Sequence, residues 1–400
     1  MSAGAIERIA VRNFRGIGAC DVRLGRLTCL VGRNGSGKSS FLDVPRFVRD
    51  ALTGSLDNAL HERGGLAEVR RRSSGHPHHV GVRLELLLGD GRKAVYAFEI
   101  GATRGGGHEV TSERCAIDGG TSGDFYVLKA GEPVSHGEFP FPAVMPDRLA
   151  LVALSGMTAF RPVFDHLTRA GFYDPDPKTI RELQLPQDGH LLKSGGENIA
   201  SVVAHLERHA PDALRAIVGY LRLIVPSIRS VTRERLGHVE MLEFREGAAG
   251  AEHPWRFPAR NMSDGTLRAL GTLVALFQGD AGFTPTLVGI EEPETALHPA
   301  AGAVLRDALR LASERVQVIV TNHSPDLLDD PELDESVLLA ASATDGETRI
   351  APLDEASRDA MRRHLFTAGE LLRLDRLAPD PDASDARPER QLELFAEPPG

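Results

Sequence analysis

"GRNGSGKSS", residues 32–40, decides how the rest of the chain is read. Gly32, Gly37, Lys38 and Ser39 fit G-x-x-x-x-G-K-[ST] without a gap. The stretch follows an apolar run, "RLTCLVG" (26–32), and leads into "SSFLDVPRFVRDALTG" (39–54), which reads as a helix. Strand, glycine loop and helix in that order are the setting in which such a loop cradles phosphate. The glycines let successive backbone N–H groups converge on phosphate oxygens, and the helix N-terminus adds partial positive charge. Lys38 is expected to reach the β- and γ-phosphates, and the Ser39 hydroxyl to ligate magnesium. The expected cradle is Arg33, Asn34, Gly35, Ser36, Gly37, Lys38, Ser39 and Ser40, holding ATP with Mg2+.

A second stretch needs that cation. "TLVGIEEPETALHP" (286–299) begins as a buried strand and ends in two adjacent acids, Glu291 and Glu292. Neighbouring carboxylates at a strand end repel and resist desolvation unless a cation compensates them. Magnesium is the compensating charge: Glu291 takes the metal position, its long side chain reaching the ion through a water. Glu292 is then the residue that orients and polarises the attacking water.

Composition sets the outer bounds. Four hundred residues with 42% hydrophobic and 26% charged content suffice for one large domain or two medium ones. A net charge of -10 argues against a protein that coats nucleic acid over its whole surface, but not against a local basic groove. Cys20, Cys29 and Cys115 lack metal-ligand spacing and read as reduced, buried thiols of a cytoplasmic protein. Arg8, Arg12 and Arg15 interrupt the N-terminus as a signal peptide would not allow, and no apolar run is long enough to span a membrane.

Along the chain, "IERIAVRNFRGI" (6–17) reads as a strand and turn. "VGVRLELLLG" (80–89), "KAVYAFEIG" (93–101) and "EVTSERCAID" (109–118) read as antiparallel strands inserted after the phosphate loop. "RLALVALSG" (148–156) reads as another buried strand, and 160–225 as helical. "NMSDGTLRALGTLVALFQ" (261–278) is a turn entering a helix. It is followed by strand 286–291, helix 300–315, strands 316–322 and 336–342, and two short helices to about 377. The acidic, proline-rich end from 379 reads as disordered, with "QLELF" inside it as a possible docking motif or an inert tail. The expected divisions are 1–158, 159–275 and 276–345, then a helical extension 346–378 and a tail 379–400.

Two further stretches fix the class of phosphate-loop protein. In "NMSDGTLRAL", Ser263, Asp264 and Gly265 open a helix and make a second anion site. One chain needs only one γ-phosphate cradle, so a second points to a site completed by another subunit. "VIVTNHSPDLLD" (318–329) ends a buried strand in polar residues, where His323 can contact the γ-phosphate.

The order "GRNGSGKSS", "MSDGT", "IEEPETALHP", "TNHSP" resembles the ABC-type ATPase heads of the RecF, SMC and OLD group. It most resembles the compact bacterial AAA-type members, and "NFRGI" (13–17) resembles the start of RecF-like heads. The likeness covers about residues 5–345. It maps the signature motif onto Met262, Ser263, Asp264, Gly265 and Thr266, the D-loop onto Thr295, Ala296, Leu297 and His298, and the switch histidine onto His323. Met, Asp and Thr depart from the LSGGQ pattern. The resemblance implies an α/β P-loop NTPase head of ABC type, with an antiparallel β subdomain and a helical subdomain. It also implies ATP hydrolysis at a head-to-tail homodimer or higher homo-oligomer formed on ATP binding, and a role in DNA repair, maintenance or anti-phage defence. No heptad run separates the phosphate loop from "MSDGT", and the stretch after His323 is too short for a Toprim domain, so the implied partner is a separately encoded effector, a Toprim-type nuclease being one candidate. The alternatives are a sensor or scaffold with little turnover, and a transporter subunit that "NFRGI" and the glutamate pair do not fit.

Three lesser features stay open. Arg70, Arg71 and Arg72 in "EVRRRSSGHPHH" (68–79) could contact nucleic-acid phosphates or belong to a solvated loop. His76, His78 and His79 there lack a second cluster with which to hold a metal. Glu197 and Asn198 are expected to cap a helix. Gln184 and Gln187 are equal guesses for a Q-loop.

Overall fold

The computed structural model describes residues 4–72, 79–103, 105–118, 124–247, 253–280 and 282–384. The first strands are β1 Ala5–Phe14, β2 Ile17–Arg23, β3 Leu27–Val31, β4 His79–Leu87, β5 Lys93–Ala102, β6 His108–Ile117, β7 Phe125–Lys129 and β8 Glu132–His136. They are followed by β9 Gly171–Tyr173, β10 Ile228–Leu236, β11 Val239–Glu246, β12 Trp255–Pro258, β13 Leu287–Glu291, β14 Gln317–Asn322, β15 Leu338–Thr344 and β16 Glu347–Pro352. The chain divides into two compact units: residues 1–170, 334–362 and 375–400 in one, 171–333 and 363–374 in the other. These limits differ from the sequence-based divisions because the C-terminal segments return to both units.

In the first unit the strand order is β8-β7-β6-β5-β4-β1-β2-β16-β15-β3. From β8 to β2 every pairing is antiparallel. The expected insertion is therefore longer than three strands. β3 pairs parallel with β15, Leu30 opposite Leu339, and β2 parallel with β16 through Ile17 and Thr348. β3 is almost wholly buried, as its unbroken apolar run demands of a parallel strand covered on both faces. β4 instead alternates toward its end, as a half-covered antiparallel strand does.

The helix Lys38–Thr53 packs on this lobe through Phe47, whose ring centroid lies 5.8 Å from Phe14 and 6.4 Å from Phe98. Burying such a ring stabilises by roughly 1.5–3 kcal/mol. On its polar side Arg63 donates to Asp43 and Asp50, both at 2.8 Å, while lying over the Phe47 ring. Arg15 adds a third contact to Asp43 at 2.9 Å. Cys20, Cys29 and Cys115 are buried and form no disulfide, as expected, and burial pushes the Cys20 and Cys115 thiols far up.

"RLALVALSG" is not a strand. Ala150–Leu154 is a helix, and the cause is a residue far away in sequence. The buried Glu113 carboxylate accepts the Ala150 and Leu151 amides at 2.6 and 3.0 Å and the Tyr96 and Tyr126 hydroxyls at 3.1 and 2.8 Å. It satisfies the end donors of a helix that has no local cap. Burial raises the Glu113 pKa, and the four donors partly offset that.

The second unit has a parallel group β14-β13-β9 and an antiparallel sheet β10-β11-β12. The segment 160–225, expected to be helical, carries one strand, β9, among its helices, and the division 159–275 carries β10, β11 and β12 as well. The helices Ile199–His209, Pro211–Ile224, Asp264–Phe277 and Ala301–Ser313 bury their apolar faces in this unit. Asn198 is the N-cap of Ile199–His209 but makes no capping bond. Its side chain instead holds Lys193 N–H and the Leu191 carbonyl, both at 2.9 Å.

The C-terminal extension is not purely helical, because β16 forms a hairpin with β15 before the helices Glu355–Arg362 and Ala368–Arg373. Residues 379–384 belong to the ordered chain: Asp380 N–H donates to the Pro352 carbonyl at 2.8 Å, and its carboxylate meets Arg358 at 3.1 Å. The remainder of the tail with "QLELF" lies outside the described residues, as do His76 and His78.

Candidate functional site

The phosphate loop lies between β3 and the Lys38–Thr53 helix, as the motif requires. Gly37 is the left-handed N-cap at φ 96°, where a Cβ would come within 2.3 Å of Thr348 in β16. A Cβ on Gly32 would fall 2.2 Å from the Ala341 carbonyl of β15. The hairpin β15–β16 therefore presses directly on the loop, and only glycine admits that approach. The first helical hydrogen bond runs from Phe41 N–H to the Gly37 carbonyl at 3.1 Å. The amides ahead of it form the positive end of the helix. Lys38 is 4% exposed, and its ammonium donates to the Gly32 and Arg33 carbonyls at 2.8 and 2.9 Å. Ser36 is equally buried, and its Oγ has no hydrogen-bond partner among the described residues. Arg33, Asn34, Gly35 and Ser39 face solvent, with Ser40 half-buried. Arg33 lies 3.1 Å from Asp375.

A buried ammonium over loop carbonyls, an unused hydroxyl and a cradle that a Cβ would fill suit a polyphosphate. Hydroxyl and carboxylate oxygens, as on Ser39 and Glu291, are the hard donors that Mg2+ takes.

In the second unit, β13 ends at Glu291, paired with Thr321 of β14. Glu292 follows at φ 42°, a left-handed conformation costly for a non-glycine residue. Its N–H is held by both the carbonyl and the hydroxyl of Thr321, each at 3.1 Å. That turn brings Glu292 Oε1 to 3.2 Å from His323 Nδ1, though not in hydrogen-bonding alignment. Sequence reasoning missed the third member, Glu294. Its Oε1 accepts the His323 and Ser324 amides at 3.2 and 3.3 Å and lies 3.6 Å from His323 Nδ1. Burial raises its pKa, while these donors and His323 pull it back. Three carboxylates in the four residues of "EEPE" were the available signal.

Ser263 caps the helix Asp264–Phe277 by accepting Thr266 N–H at 3.2 Å. Asp264 bonds Arg181 at 2.6 Å. A Cβ on Gly265 would lie 2.5 Å from the carbonyl of Ala296, itself left-handed at φ 64°, so the Ser263–Gly265 turn and the 295–298 turn pack backbone to backbone. Ser263 and Asp264 are exposed.

Gln184 is buried and spends its side chain on Gly196 and Ala200, so it is not available as a Q-loop, whereas Gln187 is exposed and only its backbone N–H is held, by the Ser201 hydroxyl. Of the arginine run, Arg71 pairs with Glu347 at 3.3 Å and Arg72 with Glu68, while Arg70 lines a cavity of about 460 Å³ with Arg15, Arg63 and Arg72.

Two family models match parts of the chain. Residues 251–329 match the family described as "AAA domain, putative AbiEii toxin, Type IV TA system", and residues 5–50 match "AAA ATPase domain". No curated protein matches. Among solved structures, the chain is similar to an Smc head bound to the C-terminal winged-helix domain of ScpA. The identity is 14% and the TM-score 0.55, over 89% of this chain and 99% of that one. It is also similar to an Smc head with an extended coiled coil, bound to the C-terminal domain of ScpA derived from Pyrococcus furiosus. There the identity is 12% and the TM-score 0.55, over 90% of this chain and 99% of that one. These identities show the fold alone: the chain has the α/β fold of an SMC-type P-loop head, with its two family matches, both to AAA domains, lying on the phosphate-loop end and on the stretch from Ser263 to His323.

Proposed function

We propose that the chain binds and hydrolyses ATP at a composite site completed when two copies meet head to tail. The observation that carries this reading is the phosphate loop. It offers a buried ammonium, an unused serine hydroxyl and helix-end amides around a glycine turn that admits no side chain. Lys38 balances charge on the β- and γ-phosphates. Ser39 and Glu291 would hold Mg2+, Glu291 through a water, and the ion would supply charge screening and polarisation at the phosphates. Glu292 accepts a proton from the attacking water, and His323, beside it, contacts the γ-phosphate and couples its presence to the strand end. The partner copy's exposed Ser263, Asp264 and Gly265 complete the cradle, because one chain has no need of two anion sites.

Hydrolysis then switches a partner: an effector protein or a DNA-bound complex, in repair or in defence against phage. The two similar Smc heads were each captured with a ScpA domain bound, which supports a protein partner for this head as well. Among the described residues no helix is long and apolar enough to cross a membrane, and the three reduced thiols support a cytoplasmic setting.

Steady-state hydrolysis with the purified chain tests the reading. Lys38→Ala should lose ATP binding, by tenfold or more if one charge-assisted contact is removed (~1.5–3 kcal/mol). Glu292→Gln should bind ATP normally and turn over about a hundredfold or more slowly. Wild-type turnover in Glu292→Gln would move the role of base to Glu291 or Glu294. Tight binding with no turnover in the parent chain would favour a scaffold that ATP assembles.

A further inference from the structure

In the second unit, three segments far apart in sequence bring two imidazoles and a carboxylate together. His205 lies in the helix Ile199–His209 and is 4% exposed. His190 comes from the loop before that helix, and Asp280 from the turn after the helix Asp264–Phe277. His205 Nε2 is 2.8 Å from Asp280 Oδ2, and the His190 and His205 ring centroids are 4.7 Å apart. One ligand atom from each of the three falls within 4.8 Å of the other two. Nδ1 of His190 is buried and has no hydrogen-bond partner among the described residues.

Each ligand-bearing segment is anchored independently of the cluster. Gly189, at φ 73°, has no room for a Cβ, which would lie 2.4 Å from the Ser201 carbonyl, so the loop rides directly on the helix. The Leu192 amide donates to the buried Gln278 side chain at 2.6 Å, tying the loop to the end of the Asp264–Phe277 helix. Gly279, at φ 101°, turns the chain into Asp280, whose carbonyl accepts the Thr284 hydroxyl at 2.9 Å. The His190 ring stacks on Phe283 with centroids 4.1 Å apart. The side chains are thus held near one another before any ion arrives, and little ordering is left for binding to supply.

We propose that His190, His205 and Asp280 form a binding site for a divalent transition-metal ion, Zn2+ first. Two imidazoles and one carboxylate are the borderline donor set that zinc takes, with water in the fourth position. Mg2+ prefers an all-oxygen set, so this site is chemically separate from the one serving ATP. The ion takes the place of the proton between His205 Nε2 and Asp280 Oδ2, and a ring nitrogen of His190 supplies the third ligand atom. It ties the 182–198 loop to the helix that bears Ser263 at its other end.

The test uses the untagged full chain, stripped by a chelator and titrated with ZnCl2 by calorimetry and with CoCl2 by visible absorption. The expected result is one equivalent of Zn2+ per chain, intense four-coordinate Co2+ bands, and a melting temperature raised by zinc. His190→Ala and Asp280→Asn should each weaken zinc binding by about tenfold or more. Lys38→Ala and the pair His76→Ala with His78→Ala should bind zinc as the parent does. His205 is buried, so its substitution can unfold the helix. The test therefore rests on the His190 and Asp280 variants, with far-UV circular dichroism and metal-free melting confirming that they fold. No uptake by the parent, unchanged affinity in both folded variants, or loss of uptake with His76 and His78 would overturn the proposal and leave a plain histidine–aspartate hydrogen bond.

Discussion

At the scale of single residues, Glu294 separates positioning from chemistry. It is the more buried of the two carboxylates beside His323, and it spends its acceptor oxygen on the His323 and Ser324 amides. Because burial raises its pKa, its contribution to stability is present below the ordinary carboxylate range and is lost as pH rises through the raised value. At neutral and basic pH the folded chain therefore carries a cost for holding it ionised. Glu294→Gln keeps an acceptor for the two amides and removes that charge. Its melting temperature at pH 8 should exceed the parent's by about 2 °C or more. The gain should shrink toward zero as pH falls to about 4, where the unfolded carboxyl is itself protonated. A variant less stable than the parent at pH 8 would show that the charge is held by His323 rather than merely tolerated. Glu292, by contrast, is about one-third exposed and held in a left-handed conformation at φ 42°.

At the scale of elements, Glu113 shows how one carboxylate can decide between strand and helix. Its four donors come from β5, β7 and the first turn of Ala150–Leu154, so the helix begins where the antiparallel lobe presents an acceptor. Glu113→Ala should cost at least about 3 kcal/mol, since two tyrosine hydroxyls and two amides lose their buried partner. Chemical denaturation would measure it. Glu113→Gln, which keeps an acceptor, should recover part of the loss, and full stability in the alanine variant would mean that water replaces the carboxylate. The phosphate loop is an element of the same kind: its glycines are required by Thr348 and Ala341 in the β15–β16 hairpin as much as by phosphate.

At the scale of the whole molecule, the question is whether one chain suffices. Lys38→Ala and Ser263→Arg should each be inactive alone, the first by losing the cation that faces phosphate, the second by filling the exposed turn at the N-terminus of Asp264–Phe277. Mixed, they form a heterodimer with one ruined site and one intact one, whose loop comes from the Ser263→Arg chain and whose Ser263 turn comes from the Lys38→Ala chain. Partial ATPase activity should reappear on mixing, with ATP-dependent dimer formation followed by light scattering. Should Ser263→Arg remain fully active, at a specific rate independent of protein concentration, the composite site is wrong.

What the sequence determined by itself was the placing of contiguous motifs. The glycine loop between strand and helix, the glutamate pair at a strand end, Ser263 at the opening of a helix and the buried runs of β3, β13 and β14 were all legible. Each is a local pattern whose glycines, caps and apolar spacing have one physical reading. Several features became visible only in the tertiary structure. One is the helix at Ala150–Leu154, capped by Glu113 from another strand. Another is the β15–β16 hairpin, whose backbone crowds Gly32 and Gly37. The role of Glu294 and the His190–His205–Asp280 cluster complete the set. In each of these the deciding partner lies tens of residues away, and a hydrogen bond or a backbone approach across that distance leaves no periodicity in either segment. Local propensity chooses an element only until a buried polar group elsewhere demands a partner, because leaving that group unpaired costs more than the propensity is worth.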